Sequence, residues 1–113
     1  MDLPFLANYL CVHNMLKAHA RTYQIYNEEF RGTQMGKVGL SIPCRHNFPK
    51  NENETEAAQI AFEYDCGWVA HPIFSQEGDY PAVMKERIRE NSKLEGLPFS
   101  RLPEFSPEWI KLM

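Results

Sequence analysis

A chain of 113 residues has room for one small core, and its 43% hydrophobic and 24% charged residues are ordinary for a globular protein. A net charge of -3 lacks the basic excess that an electrostatic nucleic-acid partner would need. No apolar run approaches the roughly 20 residues of a membrane-spanning helix.

The first predicted element is a long helix. Asp2 and Pro4 suit its entrance, because a proline in the first turn gives up only an N–H that would be unbonded anyway. Leu6, Tyr9, Leu10, His13, Leu16, Ala20 and Tyr23 recur at three- and four-residue spacing and form one stripe. The pattern fades near Phe30, and Arg31-Gly32-Thr33 through Gly36 supplies a turn. Residues 38–42 (Val-Gly-Leu-Ser-Ile) read as a short strand between Gly36 and Pro43. A polar loop then leads to a second helix over about 54–68, with Ala57, Ala58, Ile60, Ala61 and Tyr64 as its apolar side and Gly67 as a left-handed cap. An irregular stretch, His71 to Phe74 and on through Gly78-Asp79-Tyr80, precedes a third helix over about 81–91 that buries Val83, Met84 and Ile88. Its solvated face carries Lys85, Glu86, Arg87, Arg89 and Glu90. Ser106-Pro107-Glu108 opens a last helix, with an N-cap serine, a first-turn proline and an early acid.

The order helix, strand, long connection, helix is one repeat of an alternating α/β sheet. A lone strand leaves its backbone N–H and C=O groups unpaired, and even a two-stranded hairpin is marginal in water. The strand's partners are therefore expected outside the chain. The competing reading is an all-α fold in which residues 38–42 form a loop.

The candidate chemistry is sparse. Three cysteines, Cys11, Cys44 and Cys66, include no C-x-x-C pair and leave at least one thiol unpaired, so a disulfide scaffold is not expected. Four histidines show no zinc-binding spacing; His13 and His19, six apart, fall on different helix faces, and no metal is expected. Cys44, just after the strand with His46 nearby, is the one position where a nucleophile could sit, against the plainer reading of an inert thiol. Glu28, Glu29, Glu52, Glu54, Glu56, Glu63 and Asp65 read as solvated. No phosphate-binding glycine loop is present, and no cofactor is implied. Asn53-Glu54-Thr55 is an N-glycosylation sequon in a polar stretch. Met1 to Pro4 show no basic leader followed by an apolar segment, so no signal peptide is read there.

Five ordered motifs carry a resemblance. Residues 13–20 (His-Asn-Met-Leu-Lys-Ala-His-Ala), 34–40 (Gln-Met-Gly-Lys-Val-Gly-Leu), 67–74 (Gly-Trp-Val-Ala-His-Pro-Ile-Phe), 78–81 (Gly-Asp-Tyr-Pro) and 100–103 (Ser-Arg-Leu-Pro) resemble, in that order, the middle of the family 1 glycoside hydrolases. That family includes β-glucosidases, the lactase–phlorizin hydrolase repeats and myrosinases. The resemblance implies an α/β fold, a (β/α)8 TIM barrel several times longer than this chain. Residues 4–30 would be the helix after barrel strand four and residues 38–42 strand five. The remainder would be the excursion after it, and the whole of 1–113 one internal piece of a single barrel domain.

Family members hydrolyse β-glycosides with retention, through an acid/base and a nucleophilic glutamate about 5 Å apart. These sit in Asn-Glu-Pro and Thr-Glu-Asn-Gly motifs. Neither motif is written here: Asn27-Glu28-Glu29 and Asn51-Glu52-Asn53 lack the proline. The resemblance thus implies that the catalytic pair flanks the chain, that no catalytic residue lies within it, and that the rest of the barrel is its partner. It also implies that Cys44, Arg45, His46 and Asn47, just past strand five, help line the aglycone side of the β-glycoside pocket. Pro43 stands where many members carry an asparagine. A secreted parent enzyme is expected, with the cytosol the alternative. A second functional reading is a non-catalytic helical interaction module derived from such an enzyme.

Overall fold

The computed structural model describes residues 6–113; the helix entrance read at Asp2 and Pro4 lies outside the described residues. Helix α1, Leu6–Ile25, runs on through a π-type turn at Tyr26–Phe30. It buries a narrow stripe of His13, Leu16 and Ala20, while Leu10 and Tyr23 stay largely exposed at its edges. The turn that follows is pinned by one side chain: the Tyr26 hydroxyl accepts from the Gly36 N–H at 2.7 Å and donates to the Gln34 carbonyl at 3.3 Å. A Cβ at Gly36 would lie 2.7 Å from that oxygen, so the close approach calls for glycine.

Residues 38–42 do not form a strand, and no strand occurs among the described residues. Their side chains nevertheless alternate as a strand's would: Val38, Leu40 and Ile42 are half-buried and Gly39 and Ser41 exposed. Leu40 packs against the core. The run has a strand's sidedness without its ladder, because the described residues offer no second strand to bond it.

A 3-10 turn, Glu52–Glu54, opens the next helical stretch, with the Asn51 side chain accepting from the Asn53 N–H. Helix α2, Thr55–Phe62, passes through a π-type turn at Glu63–Gly67 directly into α3, Trp68–Phe74. Two expectations fail here. Gly67 lies at φ -58, in right-handed helix, so it caps nothing. The stretch His71–Phe74 is helical although Pro72 interrupts its bonding. A proline lacks the N–H that would bond four residues back, and here the buried Pro72 ring is held by packing instead. The apolar side of α2 is only partly covered: Ala58, Ile60 and Tyr64 are half-buried, whereas Ala57 and Ala61 remain exposed.

Helix α4, Ala82–Leu94, buries Met84, Ile88 and Ser92, and its charged face is exposed as the sequence predicts. It ends in a Schellman arrangement: the Leu97 N–H bonds the Ser92 carbonyl and the Gly96 N–H the Lys93 carbonyl, with Gly96 at φ +77. Helix α5, Pro107–Leu112, starts where Ser106 and Pro107 predict. Gly78, at φ +63, packs so closely under α5 that a Cβ there would lie 2.6 Å from the Ile110 carbonyl oxygen. The core comprises Leu16, Tyr80, Met84, Ile88, Leu102 and Phe105, ringed by half-buried residues that include Tyr9, Val12, Trp68 and Trp109.

Candidate functional site

The predicted rim, Cys44 to Asn47, lies on the open side of the molecule, where the run 38–42 leaves the core. Cys44, Arg45 and His46 are exposed and Asn47 is half-buried. Two links tie this loop to the π-type turn between α2 and α3. Cys44 forms a disulfide with Cys66, 22 residues on, with Cα atoms 4.9 Å apart. The Arg45 backbone N–H donates to the Asp65 carboxylate at 2.9 Å, and the Arg45 Nε lies 3.9 Å from the same oxygen.

The disulfide corrects the sequence reading. Spacing along the chain gave no reason to pair Cys44 with Cys66, but the helix returns Cys66 beside the loop. Cys11 is the free and exposed cysteine. A disulfide-bonded Cys44 has no thiolate to offer, so it is not a nucleophile in this state. The His46 and Phe48 rings meet in a T-shaped pair, with centroids 4.4 Å apart.

Beside the rim is an apolar cleft of about 270 Å³, whose walls include Met15, Leu40, Ile42, Pro43, Asp65 and Trp68. It brings the strand-like run, α1 and α3 to one place, with a single carboxylate at its edge. Among the described residues no group of three His, Cys, Asp or Glu side chains could hold a metal ion. No helix there is long and apolar enough to cross a membrane.

Residues of four of the five sequence motifs, 13–20, 67–74, 78–81 and 100–103, meet in the framework. His13 stacks on Phe105 with centroids 4.2 Å apart, and its Nδ1 lies 3.0 Å from the Tyr80 hydroxyl. Burial pushes the Tyr80 hydroxyl far above the usual phenol range, and the nearby Asp79 charge adds to this. Burial lowers the His13 imidazole, as does Lys17, while Asp79 acts the other way. Both shifts favour one arrangement: a neutral imidazole accepting the hydrogen bond of a protonated tyrosine.

His71 Nδ1 lies 2.7 Å from the Asp79 carbonyl. A carbonyl only accepts, so that nitrogen carries the proton. Asp79 in turn receives Lys85 Nζ at 2.5 Å and the Tyr80 N–H at 2.7 Å. Buried Ser92 donates to the Ile88 carbonyl and accepts from the Arg101 N–H at 3.1 Å, which docks the segment after α4 onto that helix. These groups hold segments together, and His13, Tyr80 and Ser92 are buried. Sequence reasoning placed neither the His13–Tyr80 pair nor the His71–Asp79 and Ser92–Arg101 links, because each joins residues in different elements.

The glutamates singled out in the sequence do not gather into a site. Glu28 hydrogen-bonds Gln24, Glu63 hydrogen-bonds Gln59, and Glu52, Glu54 and Glu56 are exposed. Asn53 is exposed in the 3-10 turn before α2.

Comparison with known proteins gives a consistent result. The profile of glycosyl hydrolase family 1 matches residues 2–112. Myrosinase 1 of Brevicoryne brassicae is 40% identical over 116 aligned positions, covering 100% of this chain and 25% of that protein. Lactase/phlorizin hydrolase of Rattus norvegicus is 43% identical over 106, covering 91% of this chain and 5% of that protein. The solved structure of an aphid myrosinase superposes with a TM-score of 0.92 at 40% identity, over 99% of this chain and 24% of that one. The chain therefore spans a quarter or less of the length of these relatives.

Proposed function

This chain belongs to glycosyl hydrolase family 1, and from that premise we propose that it is one segment of a retaining β-glycosidase acting on O- or S-glycosidic bonds. A part of a TIM barrel fits its structural relatives. The observation that carries the reading is the match of family and fold over nearly every residue, at 40% identity and a TM-score of 0.92. On this reading the segment supplies scaffold and a stretch of pocket rim. Cys44, Arg45, His46 and Asn47 lie on the aglycone side, where an exposed guanidinium and imidazole and a half-buried carboxamide can hydrogen-bond a leaving group.

The chemistry itself needs two carboxyl groups about 5 Å apart, one to protonate the departing oxygen or to activate water, the other to attack the anomeric carbon. The motifs that supply them in the family are not written in these 113 residues. The pair would come from the flanking parts of the barrel. The 113-residue chain alone is expected to show no turnover of a chromogenic β-glucoside or β-thioglucoside. The same residues within a chain carrying both glutamates are expected to support it. Measurable hydrolysis by the purified 113-residue chain would defeat this division of labour.

One observation favours the second reading, a non-catalytic helical module. The helices bury a common core, and no strand occurs among the described residues. Cooperative unfolding of the isolated chain would support that reading, whereas a molten state would support dependence on the rest of the barrel.

A further inference from the structure

We propose that residues 44–66 form a disulfide-closed surface loop carrying an N-linked oligosaccharide on Asn53, and that this segment therefore matures in an oxidising secretory compartment. Two independent features meet in this loop. The first is covalent: Cys44 and Cys66 are joined across 22 residues, one exposed on the rim and the other buried at the end of the π-type turn. Such bonds form and persist where the thiol pool is oxidising, and structural disulfides are rare in the cytosol. Closing the bond removes two electrons and two protons from the thiols, which pass to the disulfide of a thiol–disulfide oxidoreductase.

The second feature is the sequon Asn53-Glu54-Thr55, with no proline at its middle position. The structure places it inside the closed loop, on an exposed turn. Every residue from Pro49 to Ala57 is exposed, Asn53 among them. The local order is made by its neighbours: Asn51 bonds the Asn53 N–H, and the Thr55 hydroxyl bonds the Glu52 carbonyl at 2.9 Å. The Asn53 carboxamide forms none of the hydrogen bonds that order the turn. It is free to bear a bulky solvated group without disturbing the fold. In the transfer, the C1–O bond of a polyprenyl-diphosphate-linked oligosaccharide breaks and its diphosphate leaves with the electron pair. The C1–Nδ2 bond forms, and the amide gives up one proton.

Both modifications can be read on one species. Trypsin should cut after Lys37, Arg45, Lys50 and Lys85, releasing residues 38–45 with Cys44 and residues 51–85 with Asn53 and Cys66. Protein isolated from its source tissue, denatured with an alkylating agent and digested without reduction, is expected to yield these two peptides linked and bearing a glycan. Cys11 should be alkylated in the same sample as the internal standard for a free thiol. Amidase deglycosylation should convert Asn53 to aspartate. In a secretory eukaryotic host, Thr55→Ser should keep the glycan and Thr55→Ala should lose it. Alkylated Cys44 and Cys66 would overturn the closed loop, and a linked pair with unmodified Asn53 would overturn the glycan. Neither readout depends on glycosidase activity, so the proposal can fail while the functional reading stands, and the reverse.

Discussion

Between Tyr80 and Phe105 the chain sends Tyr80, Met84, Ile88, Leu102 and Phe105 into one core. Between Arg31 and Asn51, a stretch of similar length, no side chain is fully buried, and Val38, Leu40, Ile42 and Asn47 are half-covered. Both stretches carry apolar residues. They differ in where their backbone hydrogen bonds go. Helix α4 satisfies its own, residue to residue, and is free to turn one face to the core. The run 38–42 can satisfy its backbone only against another strand, and within this chain it lies against helices by its side chains alone. Two cross-links to the Glu63–Gly67 turn then hold its far end. A helical region can thus complete its own backbone bonding, while the extended run 38–42 is without a ladder among the described residues.

The sharpest way to break the first half of this comparison is Met84→Ala. Met84 is 1% exposed and sits at the centre of the helical core. Removing its side chain should cost about 2–5 kcal/mol, the usual range for a core methionine or leucine truncated to alanine. Chemical denaturation followed by far-ultraviolet circular dichroism would measure it. A loss below about 1 kcal/mol would mean that the helices do not share one core.

The second half is tested by opening the disulfide. A cross-link over a loop of this size contributes roughly 3 kcal/mol by restricting the unfolded chain. Reduction should lower the denaturation midpoint accordingly. It should also release the amides of 40–47 to hydrogen exchange well before those of α1 and α4. Equal exchange rates in the two regions after reduction would show that the rim is held by packing and not by its links.

The same contrast explains what could be read from the sequence. The helices were legible because their signals are local: the three- and four-residue stripe through His13, Leu16 and Ala20, the pair Met84 and Ile88, and the Ser106-Pro107 start all act within a few residues. Pro72 and Gly67 misled for the converse reason. Each marks a helix end when judged locally, but the packing around the buried Pro72 and the π-type turn through Gly67 carry the helix onward. The alternation of Val38, Leu40 and Ile42 was legible, whereas the ladder depends on partners that no local pattern supplies. The Cys44–Cys66 bond and the His13–Tyr80 pair, 22 and 67 residues apart, were not legible at all, since spacing does not say which residues a fold returns to each other. The rim residues themselves came from family resemblance and not from their own chemistry.

The smallest expected effect bears on how the helical core tolerates polarity. His13 is a buried polar residue in an aromatic sandwich, and burial holds its imidazole below the ordinary value. The sign follows from proton linkage. Unfolded, the group titrates near about 6.5; folded, it takes up its proton only at lower pH. Between the two values the unfolded chain binds more protons, so stability falls as pH drops from about 6.5 through the folded value and then levels. Above about 6.5 this histidine contributes no slope. The charged groups facing it are Lys17, which opposes protonation, and Asp79, which favours it. His13→Gln keeps an acceptor for the Tyr80 hydroxyl and removes the titration. Its stability, measured by denaturant unfolding from pH 7.5 to 5, should fall less steeply over the acid half than that of the unsubstituted chain, with the two curves parallel above the window. Curves parallel throughout would mean that the imidazole takes up its proton over the same pH range folded and unfolded, and that burial does not penalise its charged form.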